Sequence, residues 1–291
     1  MTSFDTDEQF ATYDDNDHDG DGLVRIQWRQ GSVQQGTGGY FFLSKKNVPD
    51  GFAPAGDIWM PHQEYFKESR TRDDGWKTEA LPMYIICARA QPFRKGIDSK
   101  NKTWLEAWPK GAEPNTIAQH ADVLLVADGL QELGPVCWST NSTTTAFAVI
   151  SGADPKRSPK GGILHRIREE VLGAADMASK TLKERRKKKL YWLFWITITT
   201  QRDAKGQIVY TPTKSGTDVT LPVPLLPDTI DAAWLSAAFV GAEIAVYGRD
   251  IRAQYESWRA TKFTNDAVPA ALPAGRNVPQ PVTDADFEPA F

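Results

Sequence analysis

Two groups of residues in this chain have the types and spacing to do chemistry, and in both the chemistry is recognition. Lys183, Arg185, Arg186, Lys187, Lys188 and Lys189 place six cations, broken only by Glu184, just before Leu190 and the rings of Tyr191, Trp192, Phe194 and Trp195. A run of like charge is not buried unpaired, and a run of large aromatics seldom stays fully exposed. Cations that attract a phosphate backbone, followed by rings on which bases stack, are the two ingredients of single-strand recognition. A solvated basic loop leading into a buried strand is the alternative for the same residues.

The second group is at the end of the sequence. After a segment with Pro269, Pro273, Pro279 and Pro281 among small residues come Asp284, Asp286, Phe287, Glu288, Pro289 and a last residue, Phe291, that carries both a ring and the α-carboxylate. A ring that enters an apolar pocket while its carboxylate and neighbouring acids meet Arg or Lys is a short-peptide recognition device.

Residues 267–291 resemble the C-terminal tail of bacterial and phage single-stranded DNA-binding proteins, in which a flexible linker ends in an acidic tip closed by Phe. Bacterial tips typically end Asp-Ile-Pro-Phe, whereas this one reads Glu288, Pro289, Ala290, Phe291. The resemblance covers about a tenth of the chain. It implies a non-catalytic body that protects single-stranded DNA and a tail that recruits replication or recombination proteins and competes with DNA for the basic groove.

Catalytic patterns are absent from the sequence. Gly31, Gly36, Gly38 and Gly39 match neither phosphate-loop signature, and His18, His62, His120 and His165 are scattered. Neither they nor Cys87 and Cys137 form a close metal-binding pair, and no Ser, Cys or Thr has a nucleophile's context. The expectation is therefore no enzyme, no cofactor and no metal. A magnesium nuclease would need at least two body carboxylates, such as Asp122 and Asp128, to converge near a basic residue. A structural or assembly protein with flexible acidic arms is the broader alternative.

Charge supports a division into three. Residues 1–22 hold eight acids and no Lys or Arg, and residues 268–291 are net −2, so the formal −3 of the 291-residue chain leaves +7 for the body. The boundaries expected are a disordered acidic arm at 1–22, a nucleic-acid-binding body at 23–266, and a flexible linker and acidic protein-interaction tail at 267–291. Two cysteines and no signal peptide or apolar membrane-length run point to the cytoplasm, or to the host cytoplasm if the chain is phage-encoded. Ten tryptophans place some at a binding surface or at a subunit contact in a homo-oligomer.

The elements that must position these groups are short and mostly extended. Tyr191 to Thr200 is aromatic or β-branched except at Leu193, which predicts a strand. Trp192, Phe194, Ile196 and Ile198 would share one face. Tyr191, Leu193, Trp195, Thr197 and Thr199 would share the other, which turns polar and puts Trp195 ahead of Trp192 as a base platform. Arg25, Gln27 and Arg29 alternate with Val24, Ile26 and Trp28 as a half-buried strand, Met83 to Ala90 suits a central one, and a Thr-rich strand through Phe147 follows Cys137 and Trp138. Pro222 and Pro224 assign their segment to a sheet edge. Helical spacing runs from Ile163 to Leu172 and, behind an Asp228 cap, from Ile230 to Tyr247. The sum is a β-rich α+β body, with an OB-like, partly open barrel carrying helical insertions as the specific architecture.

Overall fold

The computed structural model describes residues 23–31, 33–66, 70–97, 103–107, 117–140, 143–153, 160–178, 191–212 and 218–256. The acidic arm at 1–22, the basic run Lys183 to Lys189 and the tail at 267–291 lie outside them. Twelve strands occur among the described residues: β1 (Arg25–Arg29), β2 (Tyr40–Ser44), β3 (Met60–Phe66), β4 (Thr71–Thr78), β5 (Ala80–Ile97), β6 (Thr103–Ala107), β7 (Ile117–Ala127), β8 (Val136–Ser139), β9 (Ile196–Thr200), β10 (Tyr210–Pro212), β11 (Asp218–Thr220) and β12 (Pro222–Pro224). The helices are α1 (Thr143–Ile150), α2 (Ile163–Arg166), which runs through a π turn (Ile167–Val171) into α3 (Leu172–Ala178), then α4 (Ala232–Ala238) and α5 (Ala242–Gln254). None is long and apolar enough to cross a membrane.

The fold is mixed α+β and rich in sheet. One sheet runs β12-β9-β5-β7-β8-β1-β2-β4-β3, with β6 also on β5, and β10 and β11 form a separate pair. Among the described residues all pairings are antiparallel except β1 with β8. The apolar run from Met83 forms the middle of β5, which pairs with both β7 and β9. Pro222 and Pro224 do lie in an edge strand, where a missing N–H costs no ladder bond.

The sheet is a curled half-barrel, and its hydrogen bonds show how it closes. The Thr200 hydroxyl on β9 donates to Gly39 O beside β2 at 3.0 Å, and Trp28 Nε1 on β1 donates to Thr220 O at 3.3 Å. Four strands separate β9 from β2 in sheet order, so these bonds require the sheet to roll round on its apolar face. Inside that roll Trp28, Phe41 and Trp138 meet edge to face, with ring centroids 5.1 and 5.0 Å apart. Gly39 must be glycine for this closure, because a Cβ there would sit 2.3 Å from the Trp28 ring.

Three local expectations are corrected. Thr143 to Ile150 is helix α1 rather than strand: Ala146, Val149 and Ile150 bury one helical face, and that packing outweighs the β-branched propensity of its threonines. The last helical region is capped by Asp231, which accepts from Trp234 N at 2.8 Å, and not by Asp228. It also divides into α4 and α5 at Phe239 to Gly241, where Gly241 has φ +86°.

The third correction bears on the predicted site. Tyr191 to Leu193 is a 3-10 turn, and β9 begins only at Ile196. The backbone between them pairs with the end of α4: Trp195 N donates to Ala238 O at 2.8 Å, and Val240 N donates to Leu193 O at 3.1 Å. From Ile196 onward the period-two pattern holds, with Ile196, Ile198 and Thr200 buried and Thr197 and Thr199 half-buried.

Candidate nucleic-acid interface

Of the nine residues expected to hold nucleic acid, Tyr191, Trp192 and Trp195 are described. Tyr191 and Trp192 are buried. The Trp192 ring lies against Gly248 of α5, donates from Nε1 to Ala245 O at 3.1 Å and has the Arg252 guanidinium 5.3 Å from its centroid. Trp195 is half-buried and meets Tyr84 of β5 edge to face at 5.0 Å. Burial, with Tyr247 adding to it, pushes the Tyr84 phenol up to about 12, so it stays neutral beside the indole at ordinary pH. Trp195 is thus more open than Trp192, but the period-two reading fails here, because Tyr191 and Leu193, which it put on the Trp195 face, are buried as well. Lys183, Arg185, Arg186, Lys187, Lys188 and Lys189, and the tail residues Asp284, Asp286, Phe287, Glu288, Pro289 and Phe291, lie outside the described residues.

The Trp195 side of the sheet holds a polar layer that sequence reasoning did not assemble. Tyr84 faces Val126 on β7, and the alternation of β7 puts Asp122 on that same side. From there the strand registers align Arg89, Asp122, Ser139, Gln27, Phe42 and Lys77 in one row across five further pairings. Asp122 is wholly buried. It accepts from Arg89 Nε at 3.1 Å and Nη2 at 2.9 Å, and from the Ser139 hydroxyl at 2.7 Å, while Arg25 Nη1 donates to Ser139 Oγ at 2.7 Å. One carboxylate is shared by two guanidiniums, and charge-assisted hydrogen bonds make its burial tolerable.

Cys137 faces the same network, with its Sγ accepting from Arg25 at 3.4 Å. Burial, reinforced by Asp122, pushes its thiol far above the ordinary range, with Arg25, Ser139 and Arg89 acting the other way. It is an inert packing thiol. Asp122 and Asp128 do not converge as a nuclease would require. Six residues of extended chain separate them by about 20 Å, and Asp128 instead bonds Gln131 and the Pro82 carbonyl.

At the far end of the row the hairpin β3–β4 bends over this polar layer. Gly75 sits at the bend, where a Cβ would lie 2.1 Å from Leu43 O. Flat sheet would hold β1 and β3 about 14 Å apart; bending brings Glu64 of β3 to Arg29 of β1, with Oε1 accepting from Nη2 at 3.2 Å and from Nε at 3.3 Å. Glu64 Oε2 also accepts from the Tyr40 hydroxyl and from His62 Nε2 at 3.1 Å. Because a carboxylate only accepts, this last bond puts the proton on Nε2. Burial and the Glu64 bond hold the Tyr40 phenol well above its usual range, so it remains a donor.

Rings and cations alternate around this cluster. The Arg29 guanidinium lies 4.8 Å from the Phe66 centroid, Lys77 Nζ lies 5.2 Å from that of Tyr40, and Phe42 packs edge on against both His62 and Phe66. The sequence did carry one signal for it, the alternation of Arg25, Gln27 and Arg29 with apolar residues. Tyr40 to Leu43 also reads as a strand, as β2 is, whereas His62, Glu64 and Phe66 gave no signal, because mixed charge from Glu64 onward does not look like a strand. No family model, curated protein or solved structure matches this chain.

Proposed function

We propose that this chain is a non-catalytic single-stranded DNA-binding protein, whose curled sheet holds the strand and whose Asp284 to Phe291 tail recruits replication or recombination proteins in the cytoplasm. The observation that carries the proposal is the pairing of cations with partly open rings at one end of the sheet, Arg29 with Phe66 and Lys77 with Tyr40, on the same side as the half-buried Trp195. Phosphates supply the affinity of such an interface and stacked bases make it tolerant of sequence. On this reading the half-barrel acts as an OB-like scaffold, and the basic run Lys183 to Lys189 adds phosphate contacts.

Titration of the full chain with oligo-dT over a range of salt tests this. Changing Lys187, Lys188 and Lys189 to Gln should weaken binding and reduce the magnitude of the salt slope by about 0.7 for each phosphate that is no longer neutralised. Wild-type protein that fails to bind oligo-dT at low salt refutes the reading. Deleting Asp284 to Phe291 should leave folding intact, keep or tighten single-strand binding and abolish capture of a purified replication protein. Phe291→Ala should damage capture more than DNA affinity.

One observation favours the assembly alternative. Phe239, Val246 and Tyr247 are exposed around α4 and α5, and sedimentation showing a concentration-dependent oligomer that Val246→Glu dissolves would support it.

A further inference from the structure

Glu64 takes hydrogen bonds from three different side chains, and all three suit a phosphate oxygen equally well. Arg29 offers Nε and Nη2 from β1, Tyr40 its hydroxyl from β2, and His62 its Nε2 from β3. The geometry matches what an arginine fork and neutral donors do around a phosphoryl group. Lys77, over the Tyr40 ring, is a further cation beside the cluster. Asp73, opposite Glu64 on β4, already has Lys46 as its cation, so Glu64 is the carboxylate that faces Arg29 and Lys77.

Glu64 also differs from Arg29 and Tyr40 in how it is held, while His62 shares its strand. Arg29 and Tyr40 belong to β1 and β2, which are flanked on both sides within the sheet, whereas Glu64 belongs to β3, the last strand, paired only with β4. Withdrawing Glu64 breaks no ladder beyond its own hairpin, and edge hairpins open locally at less cost than interior strands.

We propose that Arg29 and Tyr40 form a phosphate-binding site that the protein's own Glu64 carboxylate occupies until a phosphate displaces it, with His62 leaving alongside Glu64 on β3. The hairpin β3–β4 is then a strap whose release is coupled to ligand. A phosphate that takes over the Arg29 fork frees Glu64 and moves the hairpin outward, taking the Phe66 ring off the Arg29 guanidinium. The inference rests on the nucleic-acid reading only for the source of that phosphate, a diester within a strand or the monoester at a 5′ end.

The test uses the full chain and three probes: inorganic phosphate, oligo-dT, and the same oligonucleotide with a 5′-phosphate. Glu64→Ala removes the competitor and should bind inorganic phosphate at least tenfold more tightly than wild type, followed by the ring resonances of His62. Adding Arg29→Gln to it should abolish that gain. If Glu64→Ala does not fold, Glu64→Gln serves, because the amide keeps the volume and loses the charge; its gain should be smaller but of the same sign. A folded Glu64 variant with no gain, or a gain that survives Arg29→Gln, overturns the proposal. A gain confined to the 5′-phosphorylated oligonucleotide and inorganic phosphate identifies a terminal monoester, and an equal gain for both oligonucleotides identifies the internal diester. Oligonucleotide binding that is unaltered by either variant in a wild type that binds well sinks this site and leaves the wider function standing.

Discussion

Truncating Trp192 and Trp195 one at a time separates a core ring from a platform ring. Trp192 is 3 % exposed, its ring touches Gly248, and its Nε1 is bonded to Ala245 O. Replacing a buried Trp with Ala costs about 3–5 kcal/mol through reduced burial and the cavity left behind. For a domain of this size each kcal/mol moves the melting temperature by about 2–4 °C, so Trp192→Ala should lower Tm by about 6–20 °C. Trp195 is half-buried and its ring meets that of Tyr84. Removing that pair costs roughly 0.5–1.5 kcal/mol of stability. As a base platform it should cost roughly 1–3 kcal/mol of binding, a fall of about 5- to 150-fold in oligo-dT affinity. Thermal unfolding and oligonucleotide titration on the same preparations read both quantities. Trp192→Ala melting within about 2 °C of wild type would refute its place in the core. Trp195→Ala that binds oligo-dT like wild type would refute the platform.

Three further perturbations test the sheet that carries the site. Asp122→Ala leaves the buried Arg25 and the partly buried Arg89 without their shared anion and should cost about 3–5 kcal/mol; an unchanged urea midpoint would show the network to be dispensable. Gly75→Ala places a Cβ against Leu43 O, so it should cost about 1–3 kcal/mol and lengthen the Arg29 to Glu64 distance, and a crystal structure with that ion pair intact would contradict the bend. The Tyr84 phenol titrates near 12 in the folded chain against an ordinary 10.0. Its raised value means the folded state holds the proton more tightly, so this stabilisation is complete below pH 10 and disappears as pH rises from 10 to 12. Tyr84→Phe should flatten that part of the stability curve, and an unaltered alkaline limb would count against the burial of this hydroxyl.

What could be read from the sequence was whatever is decided locally or by a strong run. Met83 to Ala90 is apolar enough that only a central strand suits it, and Pro222 and Pro224 forbid a central position whatever surrounds them. The alternation from Ile196 to Thr200 also survives folding unchanged. Tyr191 to Trp195 continues that alternation on paper but not in space. Its backbone is hydrogen-bonded to Ala238 and Val240, more than forty residues later, and the absence of a side chain at Gly248 admits the Trp192 ring. Nothing within ten residues of Trp192 signals either partner. Thr143 to Ile150 fails for the matching reason: its threonines favour strand, and only burial of Ala146, Val149 and Ile150 decides for helix.

The polar layer was hidden by a different mechanism. Charged residues that alternate with apolar ones normally face water, so Arg25, Gln27 and Arg29 on β1 imply a solvated side. Here that side is buried at Arg25 and Gln27 because Asp122 supplies the countercharge at one end and the folded-over hairpin covers the other. Burying such cations is costly unless each gains a partner, and each does so with a residue thirty-five or more positions away. A sheet that needed only stability would do as well with apolar residues in these positions, since well-packed hydrophobic replacements of buried ion pairs are often neutral or stabilising. Retaining Arg29 at 17 % side-chain exposure, with its partner on an edge strand, leaves a cation close to the surface whose present bond can be exchanged for another. The same expense at Arg25, far from any edge strand, offers no such exchange, so Arg29 and not Arg25 is where a phosphate should register first in any binding measurement on this side of the sheet.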